Sequence, residues 1–579
     1  MAQNPSGATI GTYETRVAGA TENLYEGPVG AAIFCQVCKF GQHTYIGRAM
    51  LDRIEVILGM LVAVAALALL SRRIPIPYPI LLVLGGLGIA LVPGLPRIRL
   101  NPDLVFVFLL PPLLYPAAIF TPWRDFHSNL RPILLLAVGL VLFTTVAVGY
   151  LAHYLLPDFP LAAGFALGAI ISPPDAIAAT AIAEHLRIPR RIITIIEGES
   201  LVNDATALVA FRFAIAALVT GSFSLSHAAG RFLLVALGGI AVGLAVGWLS
   251  FRILKPIEDP PIEITISLLT PFAAYLPAEQ LQVSGVLAVV TTGLYHGWRI
   301  PEFTSFRTRL QGGPVWRMVE FLLNGFIFLL IGLQLPEVLK RLSGQSISQL
   351  ILYASVISAA VIIIRILWVF PATYLPRFFS KSLRQRDPYP AWQHVTIVAW
   401  TGMRGVVSLA AALALPLTLS GGAAFPGRDT ILFLTFTVIL VTLVVQGLTL
   451  PALIRWLKVE DDRSEEREER IARIKANEAA LGRLMDLAAN EQIDEAVLDR
   501  LRAEYEDRIA QLKEEGDGTG KSRGAMFSSA YERLSREALK QERRTILELR
   551  NERVINDEVL RRIQRDLDFA ETRLSRARD

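Results

Sequence analysis

Cysteine, histidine and charge are all scarce in this chain. Its 579 residues include two cysteines, both in CQVC (Cys35 to Cys38). A lone CxxC without a second pair or nearby histidines is weak ground for zinc or redox chemistry. It reads as an incidental pair in a disordered stretch. The seven histidines are scattered without metal spacing. Ser200, in GES, has no evident histidine base, so no enzyme constellation and no cofactor site stand out. Residues 1–49 lack the basic start and apolar core of a signal peptide. They read as a disordered extension, 1–50, with Met50 a candidate natural start just before the first apolar run.

What fills the chain instead is hydrocarbon. It is 53% hydrophobic and 19% charged, with a mean hydropathy of +0.45. Soluble domains carry about 25% charge, and a single apolar core stops growing near 250–300 residues. Apolar runs recur from Leu51 to Leu457. The expected fold class is therefore an all-α polytopic membrane protein, 51–457, followed by a cytosolic tail, 458–579.

Thirteen candidate spans are expected: 53–71, 78–94, 102–120, 131–155, 159–184, 191–219, 230–254, 261–277, 280–297, 317–336, 347–375, 391–416 and 429–456. Basic residues concentrate in alternate loops, among them Arg72, Arg73, Arg124, Arg187, Arg190, Arg191, Arg252, Lys255, Arg377, Lys381 and Arg384. The positive-inside rule turns those loops toward the cytoplasm. An odd number of spans then leaves the N-terminus outside and the tail inside, in a plasma (inner) membrane. In the tail, IARIKANEAALGRLMDLA and DEVLRRIQRDLDFAETRL carry apolar residues three and four apart between opposite charges. They predict a helical bundle or coiled coil. EEGDGTGKSRG departs from a phosphate-binding loop at Glu515 and follows no strand, so it reads as a linker, and no nucleic acid is expected as a partner.

The informative residues are charges inside oily spans. A charge at mid-membrane costs about 2.5–3.5 kcal/mol on insertion scales and is usually functional. The sixth span holds EGESLVND, Glu197 to Asp204. On a helix, Ser200 and Asp204 are four apart and share a face, and Glu199 and Asn203 form a second such pair on the adjacent stripe. Carboxylate and hydroxyl oxygens suit a small alkali cation such as Na+, and the carboxylate suits a proton equally. The fifth span contains SPPDAIA. Pro173 and Pro174 remove backbone donors and break the helix, freeing carbonyls near Ser172 and Pro174, with Asp175 at the resumed helix N-terminus. The twelfth span, TGMRGVVSLA, places Gly402 and Gly405 around Arg404. A breaker and a charge near the end of each half is the pattern of inverted repeats with broken helices. Arg365 adds a buried cation in the eleventh span. Two arginines among several acids predict internal ion pairs, because an unpaired buried ion is costly. Arg212 either snorkels or pairs.

SPPDAIA, EGESLVND, FLLPPLL (Phe108 to Leu114) and GMRGVVSLA together resemble the signature segments of monovalent cation:proton antiporters, the sodium/proton exchanger branch. The resemblance covers roughly residues 51–457. It implies thirteen spans, a dimerisation domain and a mobile core with two crossed discontinuous helices, spans 5 and 12. It also implies that Asp204 binds the cation and carries the proton, and that Asn203 before it goes with electroneutral exchange. Asp175 is then the acid of the broken helix, Ser200 a cation ligand, Glu199 the partner of buried Arg365, and Arg404 the arginine of the second broken helix. Two positions depart from the family pattern: Pro174-Asp175-Ala176 replaces Thr-Asp-Pro, and Pro116 stands where many exchangers have an acid.

The expected function is exchange of Na+, Li+ or K+ for H+, one for one, by competition for Asp204, in a homodimer serving pH homeostasis. The partners are monovalent cations, protons and the bilayer. A cation channel and a receptor acting through its tail are the rival readings, and the buried acids and arginines speak against the second.

Overall fold

The computed structural model describes residues 55–570, apart from 75, 93–103, 185, 187, 222–223, 343–345, 420–423, 460–463, 491–493, 515–523, 553, 555–558, 561–562 and 565. Cys35, Cys38, the N-terminal extension and most of the EEGDGTGKSRG linker lie outside the described residues. The chain divides after Glu460 into two units.

The described residues of the first unit are helical, with one isolated bridge between Thr418 and Ala424. In chain order the helices are α1 (Glu55–Ser71), α2 (Tyr78–Ala90), α3 (Val105–Phe120), α4 (Trp123–Ser128) and α5 (Leu130–Leu155). Then come α6 (Leu161–Ile171), α7 (Ala176–Glu184), α8 (Arg190–Thr220), α9 (Leu225–Leu254), α10 (Pro260–Gln280) and α11 (Gly285–Phe303). The unit ends with α12 (Phe306–Arg341), α13 (Ile347–Phe379), α14 (Lys381–Arg386), α15 (Trp392–Trp400), α16 (Val406–Leu413) and α17 (Arg428–Leu457).

Among the described residues, seven segments are long and apolar enough to cross a membrane: α5, α6–α7, α8, α9, α12, α13 and α17. Helices α1, α2 and α3 are apolar but shorter. The remaining sequence-expected spans correspond to α10, α11 and the α15–α16 pair. Two physical features reduce their apolar continuity. Helix α10 carries Glu263, Glu279 and interior prolines Pro271 and Pro277. Residues 401–405 separate α15 from α16, so neither piece reaches the required length alone.

Close helix approach takes the place of solvent-driven burial. Gly86 of α2 and Gly332 of α12 meet backbone to backbone. A Cβ on Gly86 would strike the Leu329 carbonyl, and one on Gly332 would strike that of Val83. Without a hydrophobic drive between helices in lipid, such contacts supply dispersion energy that bulky side chains would forbid.

Helix α8 is the central strut, packing against α5, α6, α7, α11 and α15. Its 31 residues rise about 46 Å, longer than the hydrocarbon core of about 30 Å. At the α8 N-terminus, Asp387 ties three helices together. It accepts from Arg191 of α8 at 2.8 Å and Arg377 of α13 at 2.5 Å, and Arg131 of α5 lies 3.8 Å away. Farther along α8, Arg212 pairs with Glu279 of α10 at 2.9 Å.

The second unit consists, among its described residues, of α18 (Ser464–Asn490), α19 (Glu495–Glu514), α20 (Gly524–Asn551) and short helical pieces up to Ala570. Helices α18 and α19 pack together, with Lys513 bonded to Glu478 at 2.9 Å. Ile546 of α20 is buried with Leu560 and Leu567. Within α19, Arg502 pairs with Glu506 at 2.8 Å.

Candidate ion-exchange site

The site is built on two helix interruptions that touch. Helix α6 stops at Ile171, Ser172 to Asp175 are non-helical, and α7 begins at Ala176. The cause is local: Pro173 and Pro174 have no N–H to continue the ladder. In the second interruption, residues 401–405 separate α15 from α16, and glycines at 402 and 405 permit the close packing. The backbone N–H of Asp175 donates to the Met403 carbonyl at 2.7 Å, joining one break to the other. A Cβ on Gly405 would overlap the Asp175 carboxylate.

A helix interruption exposes carbonyls at one end and N–H groups at the other. Here buried arginines cover the carbonyl ends. Arg404 Nε donates to the Ile171 carbonyl at 2.9 Å and Nη2 to that of Ser172 at 3.4 Å, at the end of α6. Arg365 Nε and Nη2 donate to the Val398 carbonyl at 3.2 and 3.0 Å, in the last turn of α15. Cations at helix C-termini are favoured by the macrodipole. The paired arginines expected from sequence thus behave differently. Arg365 also makes a two-pronged ion pair with Glu199, at 2.5 and 2.7 Å. Arg404 is bound by carbonyls rather than by an acid, Gly402 included. The Ser172 carbonyl therefore already has a donor in the resting geometry.

The other end of the first break faces α8. Asp175 Oδ1 accepts from the Ile177 N–H at 2.9 Å, capping α7. Ser200 Oγ accepts from the Ala176 N–H at 3.3 Å. Asn203 Nδ2 donates to the Pro174 carbonyl at 2.8 Å, fastening α8 to the break, while its Oδ1 is buried without a hydrogen-bond partner.

Asp204, only 6% exposed, lines a cavity of about 280 Å³ with Pro174, Asp175 and Ser200. Asn203, Glu199, Arg365 and Arg404 lie outside its wall and hold that wall in place. Four further polar residues line the same cavity: Thr180 on α7, Glu197 on α8, Glu320 on α12 and Ser408 on α16. Glu197 and Ser408 stand inside the quoted segments EGESLVND and GMRGVVSLA, but their residue types alone assign them no role. Glu320 carries a signal, a lone acid entering the apolar run VEFLLNGFIFLLIG. Among the described residues no three acidic, histidine or cysteine side chains converge closely enough to hold a metal ion. A cation here would draw on carbonyl and hydroxyl oxygens as well as carboxylate. A larger cavity, about 600 Å³, borders α8 along Val202, Ala205 and Val209, and its walls contain no carboxylate.

Broken helices meeting beside buried acids in a many-helix apolar protein define the class: a membrane transporter. Comparison with known proteins specifies it. The family described as "Sodium/hydrogen exchanger, transmembrane" matches residues 59–456, and the chain belongs to this family of Na+/H+ antiporters. An "uncharacterized Na(+)/H(+) exchanger" of Mycobacterium tuberculosis (strain CDC 1551 / Oshkosh) is 35% identical over 538 residues, covering 92% of this chain and 98% of that protein. The sodium, potassium, lithium and rubidium/H(+) antiporter of Bacillus subtilis (strain 168) is 38% identical over 414 residues, 70% of this chain and 62% of the relative. The fold resembles the sodium proton antiporter MjNhaP1 from Methanocaldococcus jannaschii at pH 8, with a TM-score of 0.55 and 20% identity over 70% of this chain and 99% of that one.

Proposed function

We propose that this Na+/H+ antiporter works by competition for one carboxylate. Deprotonated Asp204, with Ser200 Oγ and the Pro174 carbonyl, binds the cation; protonation of Asp204 releases it. Asp175 holds the break in register and adds negative potential. The observation that carries this reading is that Asp204 and Asp175 face one cavity while both buried arginines are engaged elsewhere. A site with its own arginine counter-ion would favour a permanent ion pair over exchange.

Glu199, held by Arg365, stays outside the cycle in this proposal, and Asn203 positions α8. One titrating acid per cycle makes exchange one cation for one proton and electrically silent. Alternating access moves α6–α8, α13 and α15–α16, with the two breaks crossing, against the rest of thirteen spans. The protein works as a homodimer in the plasma membrane, with its N-terminus outside and its tail inside, and contributes to pH homeostasis. Li+ and K+ compete with Na+ at the same oxygens.

Purified protein in proteoliposomes with an entrapped pH dye provides the test. Asp204→Asn is expected to abolish cation-dependent dequenching, and full retention would overturn the assignment of the carrier. A cation channel, the rival reading, would give single-channel currents. Exchange gives saturable counterflow that persists with the membrane potential clamped at zero.

A further inference from the structure

The transport cavity has a wall that the Asp204 reading leaves without a role. It is made by α3, α12 and α16, the helices that carry Pro116, Glu320 and Ser408. Helix α16 packs against both α8, which carries Asp204, and α12, which carries Glu320. Ser408, on its cavity side, is 1% exposed, and its Oγ has no hydrogen-bond partner among the described residues. Leaving a buried hydroxyl unsatisfied costs about 1–3 kcal/mol. A buried unpaired hydroxyl on a polar cavity wall therefore points to an occupant that accepts from it or binds to its oxygen.

Glu320 is half-buried in the apolar run of α12 and lines the same cavity. A carboxylate in such a run is retained for function more often than for packing. Pro116, on α3, lines the same wall and offers no oxygen from its side chain. Among the described residues no three acids converge in one cage.

We propose that Glu320 and Ser408 form a second cation station in the transport cavity, an oxygen pair that receives a monovalent cation before Asp204 takes it. A cation moving along the wall exchanges water for Glu320 and Ser408 oxygens, and then those for Asp204 and Ser200. The station raises the local cation concentration at Asp204 without taking part in proton carriage. It therefore lowers the KM for cation more than it changes the turnover. This proposal rests on the reading of Asp204 as the carrier.

The test uses the full-length protein in proteoliposomes, with initial rates measured over a range of Na+, Li+ and K+. Glu320→Gln is expected to raise the KM for Na+ about tenfold with Vmax changed less than about twofold, the signature of lost binding at an entry site. Ser408→Ala should raise KM about threefold, and Glu320→Asp should stay within about threefold of the parent. In the Glu320→Gln background, Pro116→Glu should bring KM back toward the parent value, because the acid returns to the same wall. Parent KM values in both Glu320→Gln and Ser408→Ala overturn the station. So does a loss confined to Vmax, which a merely structural role would produce. Should Glu320→Gln fail to fold, Ser408→Ala and Glu320→Asp carry the same KM test. Exchange retained by Asp204→Asn would instead defeat the carrier assignment, and the two failures are read from different variants.

Discussion

Asp175 and Met403, 228 residues apart in the chain, share a 2.7 Å backbone hydrogen bond that locks one helix interruption onto the other. The contact explains why position 405 is glycine: any side chain there would occupy the volume of the Asp175 carboxylate. A shift of one break alone would have to break this bond.

Gly405→Ala tests that lock. The added methyl must displace Asp175 or separate the breaks, and overpacking of this kind costs about 1–3 kcal/mol. The expected outcome is a lower Tm in detergent by differential scanning fluorimetry and a loss of most exchange activity. Wild-type rates with wild-type Tm would show that the Asp175 carboxylate relocates freely.

Much of this site was legible in the sequence because its chemistry contradicts its surroundings. Prolines at 173 and 174 and glycines at 402 and 405 announce breaks, and acids in oily runs announce a reason to keep them. Partner choice was less legible. Arg404 and Arg365 look alike in sequence, yet Arg404, within the second break, meets carbonyls, while Arg365, on α13, reaches the Glu199 carboxylate as well as the Val398 carbonyl. Pairing across 166 positions depends on helix packing that no local pattern encodes. Ser408 and Glu320 were hidden for the same reason: their meaning lies in the cavity they share. The length of the apolar segments was also only partly readable, since α10 and α11 carry polar groups that face other helices, such as Glu263 accepting from Thr308 at 3.0 Å.

The Glu199–Arg365 pair supplies a second prediction. Its partners are 1% and 0% exposed, so solvent does not screen it. Removing one partner of a buried pair costs about 3–5 kcal/mol, because the other charge is stranded. Glu199→Gln should therefore lower Tm strongly and reduce the folded fraction on size-exclusion chromatography. The double variant Glu199→Leu, Arg365→Met should recover part of that loss. If it instead fell by the sum of the single losses, the two residues would not act as a pair.

The proposed competition at Asp204 has a pH consequence with a definite sign. If protonation of Asp204 releases the cation, the apparent KM for Na+ should rise as pH falls. On the acid side of the Asp204 titration, one competing proton gives a rise of about tenfold per pH unit. Ser200→Ala weakens the cation but not the proton. Its KM should lie above the parent's at every pH, with the same acid-side slope. A slope near two would require a second proton bound per cation and would rule out one-for-one exchange at this carboxylate.

His296 offers the contrasting case, a buried polar residue whose work is to join helices. Its Nδ1 lies 2.6 Å from Tyr115 Oη on α3, and its Nε2 lies 2.8 Å from Ser250 Oγ on α9. The ring thus ties α3 and α9 to α11, and none of the three groups lines the transport cavity. His296→Phe keeps the ring volume but removes one bond from the Tyr115 hydroxyl, which retains Ser267 and Thr270 as partners, and one from Ser250, which retains its own bonds to Val246 and Gly247. The cost should be about 0.5–1.5 kcal/mol for each bond lost, since no buried group is left without a partner. The expected result is a lower Tm with the KM for Na+ unchanged. A shift in KM without a shift in Tm would instead connect this buried chain to ion binding, since α3 borders the cavity through Leu114 and Pro116 on either side of Tyr115.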